Sequence, residues 1–383
     1  MMINSFNFFS NFNTVIGNGT FRKIDKIIKK DGFKNPLFIV DKGFSKSELW
    51  KIVNKKREKV FKKKNLLILS SDQEPTYTSL NETLLKAKKF KFDVIAGVGG
   101  GSCMDTSKAI AALINNPGKP LKYRGFDKLK NKSIPTILIP TTAGTGSEAS
   151  HNASFVDTRK KLKMGINGKN MFAYKSILDG EVTVSCPKIS ATSSAVDAMV
   201  HILEAYVSKK ANTFSDLVCE KAFELIINSI DEIYLKRNNL NKRLNLLMGS
   251  FLAGIAQMNA GSGVAACISY PLSVYFKVPH GIGGGIFIID VMKFNIKKGK
   301  KKYLKLSKFL PINSKQKEKK FIKFLERLFE KLNVPKNLKK YNIDKKHLEF
   351  LIKIMQPMQK GFNQNPIKFT VSNEFKKMIV KYL

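Results

Sequence analysis

The sequence predicts an α/β N-terminal half built on a parallel sheet, joined to an all-α C-terminal half. Up to residue 186, short apolar runs alternate with charged helical stretches. That is the pattern of a parallel sheet covered by helices. Beyond Cys186 the helical period takes over and persists to the end of the chain. Pro187 marks the change, because proline disfavours continuing either kind of element across it. The expected domains are therefore 1–186 and 187–383.

In order, TVIG (14–17), PLFIVD (36–41), NLLILS (65–70), FDVIAGVG (92–99) and PTILIP (135–140) read as strands. FRKIDKIIKK and TLLKAKKF between them read as helices. VIAGVG is almost wholly apolar, as a central strand should be, and SCMDTSKAIAALI after its glycines opens a helix. In the second half TSSAVDAMVHILEAYVS, SDLVCEKAFELIINSIDEIYL, a long run through 243–275, KKFIKFLERLFEKL and HLEFLIKIM all carry helical periodicity.

A chain of 383 residues is long enough for two domains and a large core. Its 43% hydrophobic and 10% aromatic content fits a globular protein. The net charge of +39 comes mainly from lysine, in stretches such as 55–64 and 297–305. It reads as a biased, solvated surface. No zinc-finger spacing, RNA-binding signature or helix-turn-helix pair accompanies it, so no specific nucleic-acid partner is expected. No apolar run reaches membrane-spanning length, and MMINSFNFFSNFN lacks the pattern of a signal peptide, so a cytoplasmic protein is expected. Cys103, Cys186, Cys219 and Cys267 fit neither a zinc knuckle nor a disulfide framework and are expected as buried free thiols.

Gly99, Gly100, Gly101 and Ser102 lie between a strand and a helix. Without Cβ atoms the backbone can approach a pyrophosphate, and the helix-start N–H groups face its charge. Asp41 ends the second strand, where a carboxylate can accept from ribose hydroxyls and repel a 2′-phosphate; this favours NAD over NADP. Thr141, Thr142, Gly144, Thr145, Gly146 and Ser147 form a second loop rich in donors, and no lysine of a triphosphate-binding loop follows it. Lys163 is a candidate cation beside the cofactor. His151 reads as a structural hydrogen-bonding residue, Glu148 as a loop-orienting one and His347 as a surface residue.

Asp197 and His201 are four residues apart on a predicted helix and project from one face. His280, in the predicted loop Pro279-His280-Gly281, can approach from another element. One carboxylate and two imidazoles suit Zn²⁺ or Fe²⁺. Such an ion would polarise an alcohol or carbonyl oxygen beside a nicotinamide, so the two halves together point to a metal-assisted oxidoreductase.

GGGSCMD, PTTAGTGSE, DAMVHILEAYVS and PHG occur in an order and spacing that resemble the iron-containing (group III) alcohol dehydrogenase family over nearly the whole chain. The resemblance implies a dehydroquinate synthase-like fold: an N-terminal dinucleotide-binding domain, a helical domain and a metal between them. It implies Asp197, His201 and His280 as metal ligands. Cofactor contacts fall at Gly99, Gly100, Ser102, Thr141, Thr142 and Thr145, with Asp41 at the ribose. It implies a small alcohol or aldehyde as substrate and a homodimer or larger oligomer. Relatives that oxidise the terminal hydroxyl of a deoxy-octulosonate sugar acid make an anionic substrate an alternative. A dehydroquinate-synthase-like lyase and a non-catalytic homologue are further alternatives; scarce histidine argues against the first, and retained ligands argue against the second. The chain departs from the family at two places that usually hold histidine. They carry Ala266, which cannot ligate, and Tyr270, a candidate substrate contact and a weak base with an ordinary pKa of about 10. Cys267 is a substitute ligand only if it turns toward the ion.

Overall fold

The computed structural model describes residues 5–10, 13–70, 74–233, 235, 239–312 and 316–383. Strands β1 (Thr14–Ile16), β2 (Pro36–Asp41), β3 (Leu66–Leu69) and β4 (Val94–Gly99) alternate with helices α1 (Ile24–Lys30), α2 (Glu48–Val60) and α3 (Tyr77–Ala87). α4 (Gly101–Ile114) follows β4. Then come β5 (Gly125–Phe126), β6 (Thr136–Pro140), the short strands β7 (Asn152–Ala153), β8 (Val156–Asp157), β9 (Leu162–Lys163) and β10 (Ile166–Asn167), and finally β11 (Lys175–Leu178).

Six strands form one parallel sheet in the order β1-β11-β6-β4-β2-β3. The apolar side chains alternate between its faces. Phe38, Val40, Val94 and Val98 pack with α1 and α2 through Ile24, Ile28, Trp50 and Val53. Leu37, Ile39 and Ile95 pack on the other face with α3 and α4 through Leu80, Leu84, Ala109 and Ile110. The chain crosses from one side of β2 to the other when it passes from β3 to β4, so the crevice at their C-terminal ends is where such sheets bind ligands.

After β11 a 3-10 turn (Gly180–Thr183) leads to α5 (Lys188–Val207). The expected boundary at 186/187 lies in this connection. The rest is helical: α6 (Thr213–Ile227), α7 (Leu240–Ala260), α8 (Val264–Phe276), α9 (His280–Lys297), α10 (Lys317–Lys331), α11 (Leu348–Met355), α12 (Gln359–Phe362) and α13 (Lys376–Ile379). α5 is the hub; every residue from Ala195 to Val207 is buried.

Four expectations need correction. The run 243–275 is two helices with a 103° bend between α7 and α8. Gly261 adopts a φ of +83° and stops α7, and the buried Glu204 carboxylate accepts from the N–H groups of Gly263, Ala265 and Ala266 to start α8. His280 is not in a loop but is the first residue of α9, after Pro279. The glycines that suggested a loop are a packing surface: a Cβ at Gly281 would overlap the Ser193 carbonyl, and one at Gly285 would overlap Val196. Finally, the helix expected at TLLKAKKF ends at Ala87 and starts earlier, capped by Thr76. The helix expected to run through 235 ends at Ile227, a 3-10 turn covers Ile230–Ile233, and Tyr234 lies outside the described residues. Among the described residues no single helix is long and apolar enough to cross a membrane.

Because α9 meets α5 through Gly285, Gly285→Val should destabilise the fold by about 1–3 kcal/mol through overpacking. Urea unfolding followed by circular dichroism checks this; a midpoint equal to wild type would show that the two helices separate without cost.

Candidate metal and cofactor cleft

The C-terminal ends of β2, β4 and β6 face the N-terminal half of α5 across a cleft of about 1200 Å³. On the sheet side β4 ends at Gly99 and α4 begins at Gly101, with Gly100 at the N-cap. No side chain caps α4, so its first N–H groups are open toward the cleft that Gly100, Gly101 and Ser102 line. Gly99 does not itself line the cleft. Its missing Cβ leaves room for Cys103 and Asp41, whose Cβ atoms would be 2.5 and 2.9 Å away. Asp41 accepts from the Phe44 N–H through Oδ1 at 3.0 Å, which leaves Oδ2 for a ligand hydroxyl.

The second loop has two faces. Thr141, Thr142 and Thr145 line the cleft. Its glycines look the other way: a Cβ at Gly144 would lie 2.6 Å from Ser194 on α5, and one at Gly146 (φ +58°) would lie 2.6 Å from Gly254 on α7. The Ser147 hydroxyl donates to Asp105 at 2.5 Å, and Asp105 also accepts from Ser154 N at 2.8 Å. The fully buried Lys108 donates to the carbonyls of Ser147, Ser150 and Asn152. Burial lowers its pKa, and the Asp105 carboxylate 3.3 Å away opposes that shift. Asp105 and Lys108 were missed in the sequence. Their signal was an acid and a lysine three residues apart on an otherwise apolar helix.

Glu148, in the 3-10 turn that ends this loop, is buried. Neither carboxyl oxygen has a partner among the described residues, and burial pushes its pKa up to about 7. His151 lines the cleft, but its Nδ1 is buried without a hydrogen-bond partner among the described residues; the ring meets the edges of Phe9 and Phe172 at 6.3 and 5.2 Å. The structural hydrogen bond expected of it is thus not made at Nδ1. His347 is half-buried and pairs with Asp344 at 2.9 Å, so it is not a free surface residue.

On the helical side Asp197, His201 and His280 come together, with donor atoms all within 4.8 Å of one another. Asp197 Oδ1 lies 3.5 Å from His201 Nε2 and 3.8 Å from His280 Nε2. With bonds of about 2.0–2.2 Å, donors on one ion sit about 3–3.5 Å apart, so the cluster fits a divalent cation with little movement. Burial, then the Lys163 cation, pushes His280 down to about 3, so its imidazole is neutral and able to ligate. Ser269 Oγ lies 2.7 Å from His280 Nδ1, and the Tyr270 ring packs on the imidazole with centroids 4.8 Å apart. Burial pushes the Tyr270 phenol well above its ordinary range. Lys163 sits over the Tyr270 ring at 5.6 Å and pairs with Glu74 at 2.8 Å. Ala266 supplies no donor. Cys267 is buried against Gly361, outside the cluster, with its thiol pKa raised by burial. None of the four cysteines is in a disulfide; Cys186 is half-buried at the cleft and the others are buried.

A doubly wound sheet thus faces, across one cleft, a cluster of one carboxylate and two imidazoles of the kind that holds a metal ion. The family model for iron-containing alcohol dehydrogenases matches residues 12–180, and the model for that family's C-terminal region matches 191–379. The chain belongs to the iron-containing alcohol dehydrogenase family. It is 32% identical over 296 residues to alcohol dehydrogenase 4 of Schizosaccharomyces pombe, covering 76% of this chain and 68% of that protein. It is 28% identical over 358 residues to alcohol dehydrogenase 4 of Saccharomyces cerevisiae, covering 92% of each. The structure of a 1,3-propanediol oxidoreductase superposes with a TM-score of 0.90 at 23% identity, covering 99% of this chain and 100% of that one. That of a sulfoacetaldehyde reductase from Bifidobacterium kashiwanohense in complex with NAD⁺ gives 0.88 at 20% identity, covering 99% of each chain. At these identities the two structures share the fold.

Glu148 generates a pH prediction. Its folded pKa is raised, so the folded state holds a proton that the unfolded state releases near the ordinary value of 4.5. The resulting stability is complete below about pH 4.5, falls as pH rises and is gone above about 7. Glu148→Gln should flatten that decline in unfolding free energies measured from pH 4.5 to 8. An unchanged slope would show that Glu148 ionises freely.

Proposed function

We propose that the chain is an NAD-dependent, metal-assisted oxidoreductase that interconverts an alcohol and an aldehyde or ketone. The observation that carries this reading is the convergence of three metal-type donors on the same cleft as an uncapped helix start and a strand-end carboxylate. Family membership supports it.

Asp197, His201 and His280 would hold Fe²⁺ or Zn²⁺. When bound, the ion supplies Lewis acidity at the substrate oxygen and the nicotinamide supplies the hydride acceptor. The N–H groups at Gly100, Gly101 and Ser102 bind the pyrophosphate, and Gly99 lets that turn pack closely on Asp41. Asp41 takes the adenosine ribose and disfavours NADP. Thr141, Thr142 and Thr145 offer hydroxyls along the dinucleotide. Ser147, through Asp105, holds their loop in place. Lys163, steadied by Glu74, faces the cofactor ribose. Tyr270 keeps its proton, so it orients the substrate oxygen as a donor and is not a general base. The reading includes a cytoplasmic enzyme acting as a homodimer or larger assembly, with no nucleic-acid or membrane partner.

The test is NADH absorbance on adding primary alcohols to protein loaded with Fe²⁺ or Zn²⁺, with bound metal measured by elemental analysis. His201→Ala should lose the ion and at least about a hundredfold in kcat/KM, since even outer residues of metal sites cost 10–100-fold. A metal-free His201→Ala protein with wild-type turnover would refute the assignment.

A further inference from the structure

The helical half adds further side chains to the cleft that holds the Asp–His–His cluster, and apart from Met258 those from the end of α7 onward to the bend are polar or glycine. Gln257 from the last turn of α7, Ser262 from the bend before α8, Gln364 after α12 and Lys210 after α5 all line the cleft. An enzyme for plain aliphatic alcohols would have apolar side chains here, because unpaired amides against a hydrocarbon cost about 1–3 kcal/mol each.

The amide groups are held in place. Gln257 Nε2 donates to Ser262 Oγ at 3.1 Å, so the serine hydroxyl has its own proton to donate. Gln364 is fixed at its backbone: its N–H donates to Gly361 O at 3.1 Å and its carbonyl accepts from Lys209 N at 3.0 Å. Its Oε1 is buried with no hydrogen-bond partner among the described residues. That oxygen occupies the space a side chain at residue 261 would fill, and Gly261, at φ +83°, is the residue that vacates it. With Oε1 packed there, the NH₂ of the same amide is the polar end left for the cleft. The Lys210 ammonium stands at the exposed rim.

We propose that Gln257 and Gln364 are specificity-determining residues that select an alcohol or aldehyde carrying a hydrogen-bond-accepting oxygen at the end remote from the reacting carbon. That oxygen is a hydroxyl or a carboxylate. The amide NH₂ and the serine hydroxyl serve both, and Lys210 adds attraction only for the anion. This inference rests on the oxidoreductase reading above and names the substrate class of the same site.

Three four-carbon primary alcohols test it: butan-1-ol, butane-1,4-diol and 4-hydroxybutanoate, with the metal-loaded enzyme and NAD. At least one oxygenated substrate should exceed butan-1-ol tenfold in kcat/KM. Gln257→Leu/Gln364→Leu should erase that preference by raising the KM of the oxygenated substrate about tenfold while kcat for butan-1-ol holds, because the reacting end is untouched. A wild-type urea midpoint in the double variant certifies its fold. If 4-hydroxybutanoate leads and Lys210→Met lowers only its kcat/KM, the remote oxygen is anionic; if the diol leads, it is a hydroxyl. Butan-1-ol as the best substrate, or an unmoved ratio in the double variant, overturns the proposal and leaves the oxidoreductase reading standing. Turnover of none of the three overturns both.

Discussion

The site depends on how closely two helices approach. α9 reaches α5 at Gly281, where a side chain would collide with the Ser193 carbonyl and come within 2.9 Å of the Asp197 Cβ. Only a residue without a Cβ lets the backbones meet there. The consequence is immediate: the residue before Gly281 is His280, so the contact that brings α9 in also delivers its imidazole to the Asp197 carboxylate. Gly284 and Gly285 extend the contact along Val200 and Val196. The glycine-rich segment is thus a packing surface whose first turn carries a metal-type donor.

The same device joins the two halves of the molecule. Gly144 meets Ser194 one turn before Asp197, and Gly146 meets Gly254 on α7. The loop that presents Thr141, Thr142 and Thr145 to the cleft is therefore seated on the helix that carries two of the three metal-type donors. Lys108 and Asp105 hold the loop from the sheet side through buried charge-assisted bonds. Breaking either member would strand a buried charge, which is costly. The threonine-bearing loop and the start of α9 both pack on Ser193–Asp197.

Much of this was legible in the sequence. The strands were visible because a two-sided parallel sheet needs short, fully apolar runs, and β2 and β4 have them. The Asp197–His201 pair was visible because a spacing of four on a helix aligns side chains whatever surrounds them. What sequence spacing could not supply was orientation. Pro279-His280-Gly281 read as a loop because proline and glycine weaken helices in isolation, and here tertiary contact outweighs propensity. The break at Gly261 was hidden inside an unbroken apolar period, since apolar residues on either side belong to the same core. Glu204, which starts α8, looks like any acid on a helix until the fold brings residues 263–266 to it. Gln257 and Gln364 are over a hundred residues apart, and nothing local marks them as sharing a cleft.

The departures at Ala266 and Tyr270 can be judged against these contacts. Ala266 is buried on α8 and brings no donor to the ion. Yet α8 still supports the site: Ser269 contacts His280 Nδ1, and the Tyr270 ring stacks on the same imidazole. Both residues act on an imidazole that α9 supplies. α8 thus adds no donor of its own at 266 and instead fixes the His280 ring. Residues that orient a metal-ligating imidazole commonly matter nearly as much as the ligand. The set of one carboxylate and two imidazoles is also chemically sufficient, since catalytic zinc works with three protein donors and ferrous iron with two imidazoles and a carboxylate. Gln257, Ser262 and Gln364 line the same cleft, so the donor cluster and these polar groups of the helical half open onto one shared space.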